Sequence, residues 1–136
     1  MFVYDDLSSI SVAELKTAQN WQSQYRLITQ WGTLIRRKEA IRLDENLLRG
    51  CETSAWLAHE VCGEIHRFAF DSDSRVINGL VALLLSQVDK RTSTEITALN
   101  LEQTMSEMGL EKHLTPSRNN GLRAIIARLK KIAETI

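Results

Sequence analysis

Apolar residues recur at helical spacing early in the chain. Trp21, Tyr25, Ile28 and Ile35 fall on one stripe, with Leu27, Trp31 and Leu34 beside it. Ser11 and Glu14 stand at capping-box spacing, so residues 11–36 read as one helix or a broken pair. The stretch that follows, residues 36–50, is charged and only weakly periodic, which predicts a surface loop leading into a strand. From Thr53 to Asp71 the period drops to two. Cys62-Gly63 falls between two strand-like runs and suits a two-residue turn. That turn pairs Leu57 with Phe68, Ala55 with Phe70 and Val61 with Glu64, giving one mostly apolar face. Ser54, Trp56, Ala58, Glu60, Ile65, Arg67, Ala69 and Asp71 make a mixed second face, and a one-residue slip would exchange the two.

Helical spacing then returns. Ser74 is placed to cap a helix burying Val76, Ile77, Leu80, Val81, Leu84 and Val88. Thr92 with Glu95 repeats the capping-box spacing, Asn100 with Gln103 is a variant of it, and Gly109 is placed to end a helix. Thr115-Pro116 combines a cap residue with proline at the first helical position. The helix it starts buries Leu122, Ile125, Ile126, Leu129 and Ile132 and exposes Arg123, Arg128, Lys130 and Lys131. Strands grouped together, with helices on either side, predict an α+β fold over residues 1–136 as one domain.

Charge changes what such a fold is expected to do. Seventeen basic residues balance seventeen acidic ones among 136, so no excess of cations favours nucleic acid. The apolar run Val81–Leu85 is too short to span a bilayer, and MFVYDD lacks a basic region followed by an apolar stretch. The expectation is a soluble, cytoplasmic protein whose two cysteines are reduced.

Those cysteines carry the candidate chemistry. Cys51 follows Arg49-Gly50 and precedes Glu52-Thr53-Ser54, a polar setting in which glycine allows close approach and a guanidinium favours thiolate. The competing reading is a small buried hydrophobe. Cys62 reads as a bland turn residue. His59 and His66 face each other across the predicted hairpin beside Cys62, but no CxxC spacing supports zinc, so they read as a solvated rim. A Cys–His pair using His59 or His113 stays open, against the plainer reading of both as surface residues. Trp21, Trp31 and Tyr25 read as core, and Met105 and Met108 as helix-face filler. The chain has no GxGxxG, Walker, GxSxG or HExxH signature.

Three stretches in order carry a resemblance. Gly50-Cys51-x-x-x-x-Trp56, then Phe70-Asp71-Ser72-Asp73 leading into Gly79-Leu80, then Leu114-Thr115-Pro116-Ser117-Arg118-x-x-Gly121-Leu122, resemble the SufE/CsdE family of sulfur acceptors for cysteine desulfurases. Trp21-x-x-x-Tyr25 and Gly32 resemble that family's first helix. Thr53 stands where many relatives have serine, and a leucine–proline after Gly32 is missing. Glu52 and Arg75-x-x-x-Gly79-Leu80 look closer to the CsdE branch, while His113–Arg118 looks closer to SufE, which leaves the branch open.

The resemblance implies a three-stranded antiparallel sheet packed by helices, the extra strand lying within Asn46–Arg49. It implies that Cys51 takes persulfide sulfur from a pyridoxal-phosphate-dependent desulfurase of SufS or CsdA type, stimulates it, and passes sulfur on to an acceptor or scaffold for iron–sulfur cluster assembly. Gly50, Asp73 and Arg118 are the supporting or docking residues so implied. The local alternatives for the last two are a helix-cap acid and a first-turn arginine. No cofactor or metal of its own, no nucleic acid and no membrane are expected, and the chain is expected to be a monomer or weak homodimer. It would act as carrier and activator rather than enzyme. Alternatives from other classes are a CsdE-type carrier feeding a different acceptor, a stand-alone thiol enzyme, and an interaction module in which Cys51 is incidental.

Overall fold

Side-chain caps set most of the element boundaries in the computed structural model, which describes residues 3–49 and 53–134. Ser11 accepts the Glu14 amide and starts α1, Val12–Thr17. Asn20 accepts the Ser23 amide and starts α2, Trp21–Gly32, so the predicted 11–36 helix is a broken pair. The break falls where asparagine's short side chain substitutes for a helical carbonyl. Ser74 caps α3, Arg75–Val88, through the Ile77 amide. Thr92 and Glu95 form a complete capping box on α4, Ser93–Thr97, and Asn100 caps α5, Leu101–Glu107. Thr115 accepts the Arg118 amide at the start of α6, Pro116–Glu134, after Gly109 has turned the chain at φ +68°.

Among the described residues there are three strands, in the order β1 (Ala55–Cys62), β2 (Ile65–Ser72), β3 (Arg91–Thr92), all antiparallel. The fold is α+β, as predicted. The hairpin register is not. Leu57 pairs with Phe70, Ala55 with Ser72 and Val61 with His66, because the turn is Gly63-Glu64 and not Cys62-Gly63. Gly63 sits at φ +66° while Glu64 does not share that hand, the pattern of a II′ turn with glycine at its first central position. Moving the turn by one residue shifts each partner by two, so both predicted faces survive. The third strand is also not where the resemblance placed it. Arg91–Thr92 pairs with β2, whereas Leu47 makes a single bridge to Trp56.

The first sheet face, with Ala55, Leu57, Phe68 and Phe70, packs into the main core. At its centre is α3, whose residues 76–85 and 88 are all buried between α2, β2, α4 and α6. A helix apolar all round belongs inside, and each buried leucine or valine of α3 contributes about 1.5–3 kcal/mol by leaving water. Two glycines set how closely α2 and α3 approach. A methyl group on Gly79 would lie 1.9 Å from the Ile28 carbonyl oxygen, and one on Gly32 would lie 2.2 Å from that of Arg75.

The second sheet face is covered as well, which corrects the expected surface loop. Two 3-10 turns, Glu39–Ile41 and Asp44–Asn46, cross it, and Ile41 packs with Ala58, Ala69, Trp56 and Tyr4. Lys38 is buried there, bonded to the Phe70 and Arg36 carbonyls and paired with buried Asp5 at 2.5 Å. The histidines are not a solvated rim. His66 is fully buried, its Nδ1 2.6 Å from His59 Nε2 and its Nε2 2.7 Å from Ser93 Oγ. Burial first, and then the neighbouring His66, push the His59 pKa down to about 4, and burial lowers that of His66. Tyr25, expected in the core, is 41% exposed, while Trp31 is buried. Trp21 is half-buried and stacks on His113 with ring centroids 4.9 Å apart.

Candidate functional site

The open end of the β1–β2 hairpin holds Asp73 and joins the two stretches that flank residues 49–54. The Leu48 amide donates to the Ala55 carbonyl at 2.8 Å, beside the Leu47–Trp56 bridge. These bonds bring together the two stretches that flank residues 49–54. Cys51 and Gly50 themselves lie outside the described residues. On their near side Arg49 is exposed, and Thr53 on the far side is half-buried.

Where β2 ends, a charged network fixes the opposite corner of the same sheet end. Buried Asp71 accepts the Lys38 amide and Arg42 Nε, each at 2.8 Å. Arg42 also donates through Nη2 to Asp73 at 2.9 Å and lies over the Trp56 ring, 4.4 Å from its centroid. Arg37 reaches the same Asp73 oxygen at 3.5 Å. Hydrogen bonding to both carboxylates holds the Arg42 pKa above its ordinary value, and the Arg42 bond holds the Asp73 carboxyl below the usual range. The cap of α3 is Ser74, so Asp73 is not the cap acid its position suggested. It is more than half exposed and presents a fixed negative charge beside β1.

Arg118 is placed differently. It lies half-buried in the first turn of α6, engaged in an interaction of its own. Further along α6, Arg128 reaches the segment before Cys51, its Nη2 donating to the Glu45 carbonyl at 3.4 Å. Ten residues separate Arg118 from Arg128, roughly 15 Å along the helix. Cys62 ends β1 and is exposed, seven residues beyond Ala55 and roughly 24 Å along the strand. The hairpin therefore separates Cys62 from the end that carries Cys51.

Arg42, Trp56 and Arg128 were missed as site residues by sequence reasoning. Arg42 meets Asp71 and Asp73 across 29 and 31 residues, and no local spacing announces such a pairing. Among the described residues no three histidine, cysteine or acidic side chains gather as a metal site. No described helix is long and apolar enough to cross a membrane.

Comparison with known proteins draws these features together. The SufE family model, described as an Fe–S metabolism associated domain, matches residues 10–133. The chain belongs to the SufE family. Relatives named as uncharacterised SufE-like proteins include one from Rhizobium etli, 32% identical over 120 residues, covering 85% of this chain and 81% of the relative. Another, from Haemophilus influenzae, is 31% identical over 123 residues, covering 89% and 98%. In fold, the chain is similar to the solution structure of a hypothetical protein from Thermus thermophilus, with a TM-score of 0.74 over 98% of this chain and 97% of that one at 15% identity. SufE membership places this chain in iron–sulfur metabolism. The match includes the segment that carries Cys51, the Arg42–Asp73 network and all but the end of α6.

Proposed function

We propose that this SufE-family chain is a sulfur carrier that accepts persulfide sulfur on Cys51 from a pyridoxal-phosphate-dependent cysteine desulfurase. The Cys51 thiolate attacks the outer sulfur of the enzyme's persulfide. A new S–S bond forms on Cys51 as the donor S–S bond breaks, and the enzyme cysteine leaves as thiolate. No net oxidation occurs, and the sulfur moves at the same redox level. Emptying the desulfurase in this way stimulates its turnover, and a downstream thiol acceptor or cluster scaffold then takes the sulfur. On this reading the chain has no turnover of its own.

The observation that carries the reading is the family match across residues 10–133, which contains Cys51 between two stretches tied together at the sheet end. The Arg42–Asp73 network supports it, since a fixed exposed carboxylate beside that end offers a partner a defined charge. The test is mass spectrometry after incubation with a desulfurase and L-cysteine. Cys51 should gain about 32 Da, removable by reductant, and Cys51→Ser should gain nothing while keeping its melting temperature. Cys62→Ser should load normally. Equal loss in the two variants would replace the single-cysteine carrier by a relay. A desulfurase whose first turnover accelerates with Cys51→Ser would mark the chain as an allosteric activator instead.

A further inference from the structure

A groove of about 360 Å³ runs between the segment before Cys51 and the second half of α6. Its lining is in part apolar, from Leu47, Leu48, Ala124 and Ala127, and in part cationic, from Arg49, Arg128 and Lys131. Arg49, Ala127 and Lys131 are exposed, and none of the three cations forms an ion pair with a carboxylate among the described residues. Among the described residues Arg128 is bound through its 3.4 Å bond to the Glu45 carbonyl, which does not compensate its charge. Elsewhere several described cations are matched, as Lys16 is by Glu107, Arg67 by Asp89 and Lys130 by Glu102, while Arg26, Arg75, Lys90, Lys112 and Arg123 form no ion pair among the described residues. What distinguishes this groove is that three such cations gather around one apolar trough in a chain of zero net charge.

We infer that this groove is a docking surface for the desulfurase, taking an acidic segment of it that carries one or two aliphatic side chains. The inference rests on the carrier reading. Any protein that hands sulfur to Cys51 must approach the end of the sheet, and Arg49, two residues before Cys51, already forms part of the groove. The small side chains of Ala124 and Ala127, one helical turn apart, leave room for a leucine-sized side chain against Leu47 and Leu48. Arg49, Arg128 and Lys131 would then meet carboxylates on the partner. This is charge complementarity that favours one partner and speeds encounter more than it adds raw affinity. The whole-chain charge predicts little salt dependence, whereas this local field predicts a measurable one.

The experiment titrates the 136-residue chain, and Arg128→Glu/Lys131→Glu in the same background, into a desulfurase turning over L-cysteine. The double variant should raise the half-saturating concentration roughly ten-fold at low salt with the saturating rate nearly unchanged. Salt should weaken the wild type toward the variant. Arg128→Gln/Lys131→Gln, which retains a donor for the Glu45 carbonyl, should fall between them and guards against misfolding of the reversed pair. Alkylation of Cys51 by a small reagent should proceed equally in all three. A half-saturating concentration within two-fold of wild type in both variants overturns the assignment. So does a defect confined to discharge of preloaded Cys51 onto a downstream acceptor, which would give the groove to that acceptor. If the wild type never gains 32 Da on Cys51, the carrier reading itself fails.

Discussion

Arg42 illustrates how one residue decides between structure and function at this site. Its side chain is only 12% exposed and joins a buried carboxylate, Asp71, to an exposed one, Asp73, while covering Trp56. The two ends of that bridge should respond differently to mutation. Arg42→Ala strands Asp71 in the interior with only the Lys38 amide for company, and should cost about 3 kcal/mol or more. Asp73→Ala removes an exposed partner and should change stability by less than about 1 kcal/mol. Thermal melts of both variants, run beside persulfide loading of Cys51, separate the roles. Asp73→Ala that melts like wild type but loads slowly supports a docking charge, and a large fall in its melting temperature makes Asp73 a structural residue.

At the scale of elements, the α2–α3 crossing and the entry to β3 impose the tightest backbone demands. Gly79→Ala drives a methyl group against the Ile28 carbonyl, a fixed backbone atom, so α2 and α3 must separate. The expected loss is about 3 kcal/mol, a fall in melting temperature of roughly 10–15 °C. Lys90 holds φ +65° while its amide donates to the His66 carbonyl at 2.8 Å. Lys90→Gly should therefore stabilise by about 0.5–1 kcal/mol in denaturant titration, the relief of a left-handed side chain exceeding glycine's extra freedom when unfolded. What was legible in the sequence at this scale follows from locality. Ser74, Thr92, Asn100 and Thr115 cap amides three residues ahead, so spacing alone reveals them. The hairpin register depended on which side of Gly63 the turn lay, and both placements preserve the same alternation. β3 is two residues long and acquires its identity only from β2, far back in the chain. His66 read as a rim residue because Ser93, which satisfies its second nitrogen, is 27 positions away.

For the whole molecule, the buried histidine pair predicts how stability follows pH. His59 titrates near 4 in the folded chain and at about 6.5 when unfolded, and His66 is lowered in the same direction. The unfolded state therefore binds more protons between these values, so stability is complete above pH 6.5 and declines as pH falls toward 4. Melting temperature should drop steadily across that window, before the lowered carboxyls of Asp73, Glu95 and Glu102 begin to protonate. His59→Gln should flatten the decline. A wild-type profile that is level from pH 7 to 4.5 would show that the pair accepts a proton without cost. His66 bonds through one ring nitrogen to His59 and through the other to Ser93, with no contact to the Arg42–Asp73 network among the described residues, so persulfide loading should not track this titration.

The bond between Leu48 and Ala55 also sets a length. Cys51 is three residues from the first anchor and four from the second. Even a fully stretched backbone carries its Cα no more than about 11 Å from Leu48. Under the proposed reaction the chain thus delivers its thiol on a short tether, not a long arm. A persulfide recessed deeper than that reach plus one side chain cannot be touched unless the rim of the hairpin enters with it, bringing Trp56 and Asp73 into the mouth of the donor. Depth itself becomes a filter: donors with shallow openings can be served by the tip alone, and deep ones only by an opening wide enough for the sheet end.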